Sequence, residues 1–326
     1  MNCNDKVIEL RNKIEETLIP LIDNDYLYLD LPYHTNLGDT LIWQGTLDFL
    51  KKIPHKCLMS TCANGNDFMK VARHHREAII LLHGGGNFGD IWVGSNEYRK
   101  EVIKKLPGHK IIILPQTIHY NNIDNLKKDA CFYAEFPNVT ICARDMISLN
   151  ILKEYFPNNI RYLLPDMAFC MDINLYNLDK SFQISRSLFI RRIDKEFQSS
   201  EKYDIVPSDA YISDWPTITI ESNMVEYKIL RVLSRYGLAI RRRLNFDFYS
   251  SIVDFYWQHM LRKRQVIKAI KFINSYRIIY ATRMHAIILS ILLNKLEIVA
   301  FDNSYGKTSS FINTWLRDVE CLKLIK

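Results

Sequence analysis

The sequence predicts an α/β protein made of two Rossmann-like domains, residues 1–172 and 173–326, facing each other across a cleft. Three observations predict it. Short, mostly apolar runs alternate with stretches of helical period six times between residues 25 and 170. A second unit of the same kind opens on SLFI at 187–190 and closes on apolar runs at 278–281 and 297–301. Several of these runs are unbroken, as expected of strands buried on both faces of a parallel sheet.

Each element follows from its local pattern. Residues 1–16 form an amphipathic polar helix and lack the apolar core of a signal peptide. Residues 26–31 make the first strand, 32–38 a loop and about 39–52 a helix. Further strands fall at 56–62, 78–82 (AIILL), 110–114, 139–143 and 162–164, with helices at 96–106 and 145–156 between them. The polar stretch 172–185 marks the domain boundary. After the strand at 187–190 comes a long, basic, largely helical region at 223–274. The strand 278–281, an apolar helix from Arg283, the strand 297–301 and a helix at 309–318 complete the second unit.

At 326 residues and 48% hydrophobic content, the chain can build two real cores. Its seven cysteines form no CxxC pair and sit largely within apolar runs, which points to a reducing compartment. No run of 18 apolar residues occurs, so the expected location is cytoplasmic. The net charge of +7 is uneven: residues 226–271 hold 11 Lys and Arg against 3 Asp and Glu, leaving 32 against 33 elsewhere. That excludes a nucleic-acid binder of general basic surface and leaves a local contact with an anionic membrane face or a phosphate-bearing acceptor. A solvated helix face accounts for the segment equally well.

The chemistry concentrates in residues 277–307. Thr282 is placed to cap a helix that starts with Arg283 and His285, and Lys307 follows the next strand. In a parallel sheet these are carboxyl-end positions, where a helix N-terminus and cations meet an anionic ligand. Arg191 and Arg192 stand at the corresponding point after 187–190, and strand alternation sends one of them to the cleft. In the first unit, His34, Asn36, Gly38 and Asp39 follow the first strand, with Gly38 permitting a left-handed turn and Asp39 capping the helix. His83-Gly84-Gly85-Gly86-Asn87-Phe88-Gly89-Asp90 follows the third strand and is either a tight βα turn or a close backbone approach to ligand. Arg144 and Asp145 read as a local ion pair. Neither a P-loop nor metal-ligand spacing occurs, and no metal is expected.

The runs Arg283-x-His285-Ala286 and Asp302-Asn303-x-Tyr305-Gly306-Lys307 resemble the C-terminal signature of the polysaccharide pyruvyl transferase family. Upstream, Asn36-Leu37-Gly38-Asp39, the glycine run 84–90, Pro115-Gln116 and Ala143-Arg144-Asp145 extend the resemblance over residues 33–315. The resemblance implies a GT-B architecture, phosphoenolpyruvate (PEP) as donor substrate and no resident cofactor. It implies a donor set of Arg191, with Arg192 as alternate, Arg283, Met284, His285, Ser304 and Lys307 in the C-terminal domain. It implies an acceptor face of His34, Asn36, Asp39, Gly85, Gly86 and Asn87 in the N-terminal one. His285 and Arg283 are the catalytic pair, His285 as general acid. The acceptor would be a sugar of a capsular, exopolysaccharide or cell-envelope glycan, in one form polyprenyl-linked and met at the inner face of the cytoplasmic membrane. A GT-B glycosyltransferase using a nucleotide sugar is the alternative, followed by a non-catalytic membrane or glycan binder.

Overall fold

The computed structural model describes residues 1–325 except 64, 66, 177–186, 194–200, 219–223, 245–247 and 303–305. Helix α1 (Cys3–Leu21) is capped by Asn2, whose side chain accepts from the Asp5 N–H. Then follow β1 (Tyr26–Leu29), α2 (Leu37–Leu50), β2 (Cys57–Thr61), α3 (Phe68–His74), β3 (Ile79–Leu82), β4 (Gly85–Gly89), α4 (Val93–Lys105) and β5 (Ile111–His119). Next come α5 (Ile123–Ala134), β6 (Val139–Ala143), α6 (Met146–Tyr155) and β7 (Ile160–Leu163). The second part holds β8 (Leu188–Ile190), β9 (Tyr211–Ser213), α7 (Met224–Leu244), α8 (Phe248–Tyr256) and α9 (Arg262–Asn274). It ends with β10 (Ile278–Ala281), α10 (Met284–Leu292), β11 (Glu297–Phe301), α11 (Lys307–Trp315) and β12 (Leu322–Ile325).

The strands form two Rossmann-like parallel sheets. One runs β2-β1-β3-β5-β6-β7 with β4 paired to β5, the other β12-β11-β10-β8-β9. Both share one logic: the unit's first strand (β1 or β8) lies between its second (β2 or β9) and its third (β3 or β10). The winding reverses at β1/β3 and at β8/β10, and ligands of such sheets sit outside the carboxyl ends at that reversal.

Strand alternation feeds separate cores. Tyr26, Tyr28, Ile79 and Leu81 bury on one face of the first sheet, and Leu27, Leu29, Ile80 and Leu82 on the other. In the second sheet, Leu188, Ile190, Ile279 and Ala281 share a core with the wholly buried α10, while Phe189, Val299 and Phe301 face away from it. Helix α1 belongs to both halves: Cys3, Val7 and Leu10 lie in the core of the second sheet, Ile14 and Leu18 in that of the first. Leu230, Val253, Trp257 and Leu261, from the region 223–274, are also buried against the first sheet.

Several local expectations are corrected. The first strand stops at Leu29, because Asp30 adopts φ 67° and Pro32 follows. The glycine run is not an open turn: residues Gly85–Gly89 form strand β4 on β5. Strands β9 and β12 were not expected from their patterns. Much of the boundary stretch 172–185 lies outside the described residues.

Candidate active site

Both reversals open on one cavity of about 370 Å³. Three helix N-termini reach it: α2 with Asn36 and Asp39, α10 with Met284 and His285, and α11 with Lys307 and Thr308. Each helix N-terminus carries backbone N–H groups and a partial positive charge that favour an anion.

The first sheet supplies the polar wall. Asn36 is the N-cap of α2, accepting from the Gly38 N–H at 3.1 Å and donating to Asp39 Oδ2 at 2.8 Å. The cap is therefore Asn36 and not Asp39, which is released to pair with His34 at 3.5 Å. Gly38 is required for closeness, since it does not adopt positive φ. A Cβ there would lie 2.6 Å from His285 Nδ1. Likewise a Cβ on Gly86 would lie 2.3 Å from Lys307 Nζ and 3.0 Å from Arg144 Nη2, so the bare backbone lets both cations approach. Asn87 is oriented by Arg99 Nη2, which donates to its Oδ1 at 2.7 Å.

The second sheet supplies the cations. Arg283 is clamped by Asp214, which accepts from Nε and, at 2.6 Å, from Nη2. Both partners are buried, Asp214 at 1% exposure. Thr282 does not cap α10. Its hydroxyl donates to the Ile190 carbonyl and accepts from the Arg192 N–H at 3.0 Å, lashing β10 to the loop after β8. Arg192 is thereby turned into the cavity and buried. Arg191 points outward and is exposed, so of the adjacent pair it is the alternate, Arg192, that lines the site.

Behind the cavity runs a charged relay. His285 Nε2 is 3.3 Å from Asp166 Oδ2, which also accepts from Arg144 Nη1 at 2.6 Å. Arg144 thus pairs across the sheet with Asp166 and not with its neighbour. Asp145 instead caps α6 through the Ser148 N–H and accepts from Ser310.

Ten of the expected residues meet at this cavity: His34, Asn36, Asp39, Gly86, Asn87, Arg192, Arg283, Met284, His285 and Lys307. Gly85 lies outside the lining, and Ser304 lies outside the described residues. Sequence reasoning missed Trp92, Ser95, Trp215, Asp214 and Asp166. The last two carried one readable signal, an acidic residue just past the carboxyl end of a strand.

A family model described as polysaccharide pyruvyl transferase matches residues 36–295. The chain belongs to the polysaccharide pyruvyl transferase family. EpsO of Bacillus subtilis, named a candidate pyruvyl transferase, is 31% identical over 328 residues, covering 100% of this chain and 96% of EpsO. Pyruvyl transferase 1 of Schizosaccharomyces pombe is 25% identical over 296 residues, 88% of this chain and 69% of that protein. The crystal structure of a functionally uncharacterized protein of Klebsiella pneumoniae superposes with a TM-score of 0.63 at 19% identity, covering 97% and 98% of the two chains, which is a likeness of fold.

At this cavity Asp166 and Asp39 stay ionised against their burial. Desolvation pushes Asp166 up, but His285 and Arg144 more than offset it and hold the group well below the usual carboxylate range. Asp39 follows the same logic: burial raises it, and His34, His285, His83 and Lys307 together lower it further. Asp166 therefore remains a fixed negative charge that orients the His285 ring and complements a proton carried on it.

Proposed function

We propose that the protein moves the pyruvyl group of PEP onto two hydroxyls of one sugar, releasing phosphate and leaving a cyclic ketal. The two sheets then serve as the halves of a GT-B-like cleft, acceptor on the first and donor on the second. The observation that carries this reading is the convergence of Arg192, Arg283, Lys307, His285 and three helix N-termini on one cavity. PEP bears a carboxylate and a phosphate on a three-carbon frame, so its site needs two anion clamps and a proton donor.

Arg283, its fork fixed by Asp214, and Arg192 hold one anionic group; Lys307 and the α11 N-terminus hold the other. His285 gives its proton to the methylene carbon, and the oxocarbenium-like C2 takes the first hydroxyl. Phosphate then leaves and the second hydroxyl closes the ring. The reading needs no resident cofactor.

The acceptor in this reading is a hexose of a growing envelope glycan, carried on a polyprenyl lipid at the inner face of the cytoplasmic membrane. Two exposed apolar groups support the membrane part. Ile229, Val232 and Tyr236 stand exposed along α7 beside exposed Lys228 and Arg235, and α8 exposes Ile252 and Phe255. Among the described residues no helix is long and apolar enough to cross a membrane.

The test is phosphate release from PEP with galactosyl, glucosyl and mannosyl acceptors, comparing wild type with His285→Ala and Arg283→Ala. Release that depends on acceptor and is lost in both variants is expected, with PEP raising the melting temperature of the wild type. Protection by UDP or CMP but not by PEP would transfer the site to a nucleotide-sugar glycosyltransferase.

A further inference from the structure

A second cavity, about 450 Å³, opens beside the first at the reversal point of the first sheet. His34, Asp39, Asn87 and Ser95 line both, so the two adjoin through a shared wall. Two side chains that line it each carry a buried atom without a hydrogen-bond partner: Asp30 Oδ2 and His83 Nε2. Asp30 has Arg99 Nη2 at 3.9 Å, but that nitrogen donates to Asn87. On His83 the other ring nitrogen, Nδ1, is engaged 2.6 Å from the Tyr28 hydroxyl. Unpaired buried polar atoms are rare because they forgo their bonds to water, and here two of them belong to side chains that line one cavity.

One part of the wall is aromatic, built from Tyr33, Tyr227 and Trp257. Tyr33 stacks on Trp257 with centroids 5.1 Å apart and planes at 4°, and Tyr227 meets Trp257 at 5.7 Å. Aromatic carbon surface beside a carboxylate and an imidazole suits a molecule with C–H faces and a rim of hydroxyls, which is a pyranose.

We propose that this second cavity seats the acceptor sugar against Tyr33 and Tyr227, with Asp30 taking the proton of the attacking hydroxyl. The proposal rests on the pyruvyl-transfer reading above and names the residues of its acceptor half. The first hydroxyl loses its proton to the Asp30 carboxylate as its oxygen bonds to C2, while His285 supplies the proton that makes the methylene a methyl. The C2–O bond to phosphate then breaks, the second hydroxyl bonds to C2, and its proton leaves on the phosphate. The proton held by Asp30 passes to solvent and His285 regains one, so the cycle closes. Burial, opposed by Arg99 and reinforced by Asp39, brings the Asp30 carboxyl up to about 7, the range in which a base both holds and releases a proton.

The experiment compares wild type, Asp30→Asn and Tyr227→Ala by PEP-induced thermal protection, acceptor-dependent phosphate release and saturation-transfer NMR of methyl galactoside, methyl glucoside and methyl mannoside. Expected is unchanged PEP protection in both variants. Asp30→Asn should lower kcat about 100-fold or more, and Tyr227→Ala should lose saturation transfer to the sugar that wild type binds. Saturation transfer that persists in Tyr227→Ala, its absence for all three glycosides in wild type, or full kcat in Asp30→Asn overturns the proposal. Absence of PEP protection in wild type instead overturns the donor reading beneath it.

Discussion

Replacing Asp30 by Asn should make the protein progressively more stable than wild type as pH rises. The Asp30 side chain is 10% exposed and burial lifts its carboxyl from an ordinary 3.8 to about 7. A carboxyl whose folded pKa is raised binds its proton more tightly in the native state. Its contribution to stability is full below the unfolded pKa and is lost as pH climbs through the folded one. Between about pH 5 and about pH 8 the native group gives up its proton while the unfolded chain has already lost it. At about 1.36 kcal/mol per unit, that window removes about 2–3 kcal/mol from wild type and nothing from Asp30→Asn. The assay is urea unfolding of both proteins at the two pH values, reading the change in their difference, so that every other titrating group cancels. A difference that stays flat across the window would refute the reasoning, and with it the picture of Asp30 as a carboxyl held in a dry pocket at a cost in stability.

Three further outcomes are expected. Gly38→Ala places a methyl group 2.6 Å from His285 Nδ1; steady-state kinetics should show kcat down about 100-fold, with a stability loss of about 1–3 kcal/mol from overpacking. Asp214→Asn takes a buried carboxylate away from Arg283, which should cost about 3–5 kcal/mol in urea unfolding and abolish thermal protection by PEP. Flotation with anionic vesicles should show binding at low salt that is lost at high salt and in Ile229→Glu with Tyr236→Glu, while phosphate release with a soluble acceptor stays unchanged.

The parts of the fold legible in the sequence were those whose burial is uniform. AIILL at 78–82 is apolar throughout and VTICA at 139–143 is so except for Thr140, because both faces of a central parallel strand are covered, and no turn signal interrupts them. Strand β4 was illegible because Gly85, Gly86 and Gly89 carry no side-chain pattern. At the site, the cations were readable from their place after strands, whereas their partners were not. Arg283 and Asp214 are 69 positions apart, and His285 and Asp166 are 119 apart. Nothing local announces either pairing. Arg144 was assigned to Asp145 by adjacency, yet the Asp145 side chain is committed to capping α6. The choice between Arg191 and Arg192 turned on one parity. Leu188 and Ile190 face the core of α10, and Arg192 continues that side of the strand toward the cavity.

Helix α1 acts as a splint across the two sheets. Rotating one sheet away from the other would have to draw Cys3, Val7 and Leu10, or else Ile14 and Leu18, out of a packed interior. The walls contributed by β1, β3, β8 and β10 are therefore set before any substrate arrives. For the proposed reaction this means that little of the free energy of binding is consumed in assembling the site, and more of it remains to stabilise the moment at which carbon, oxygen and proton exchange partners.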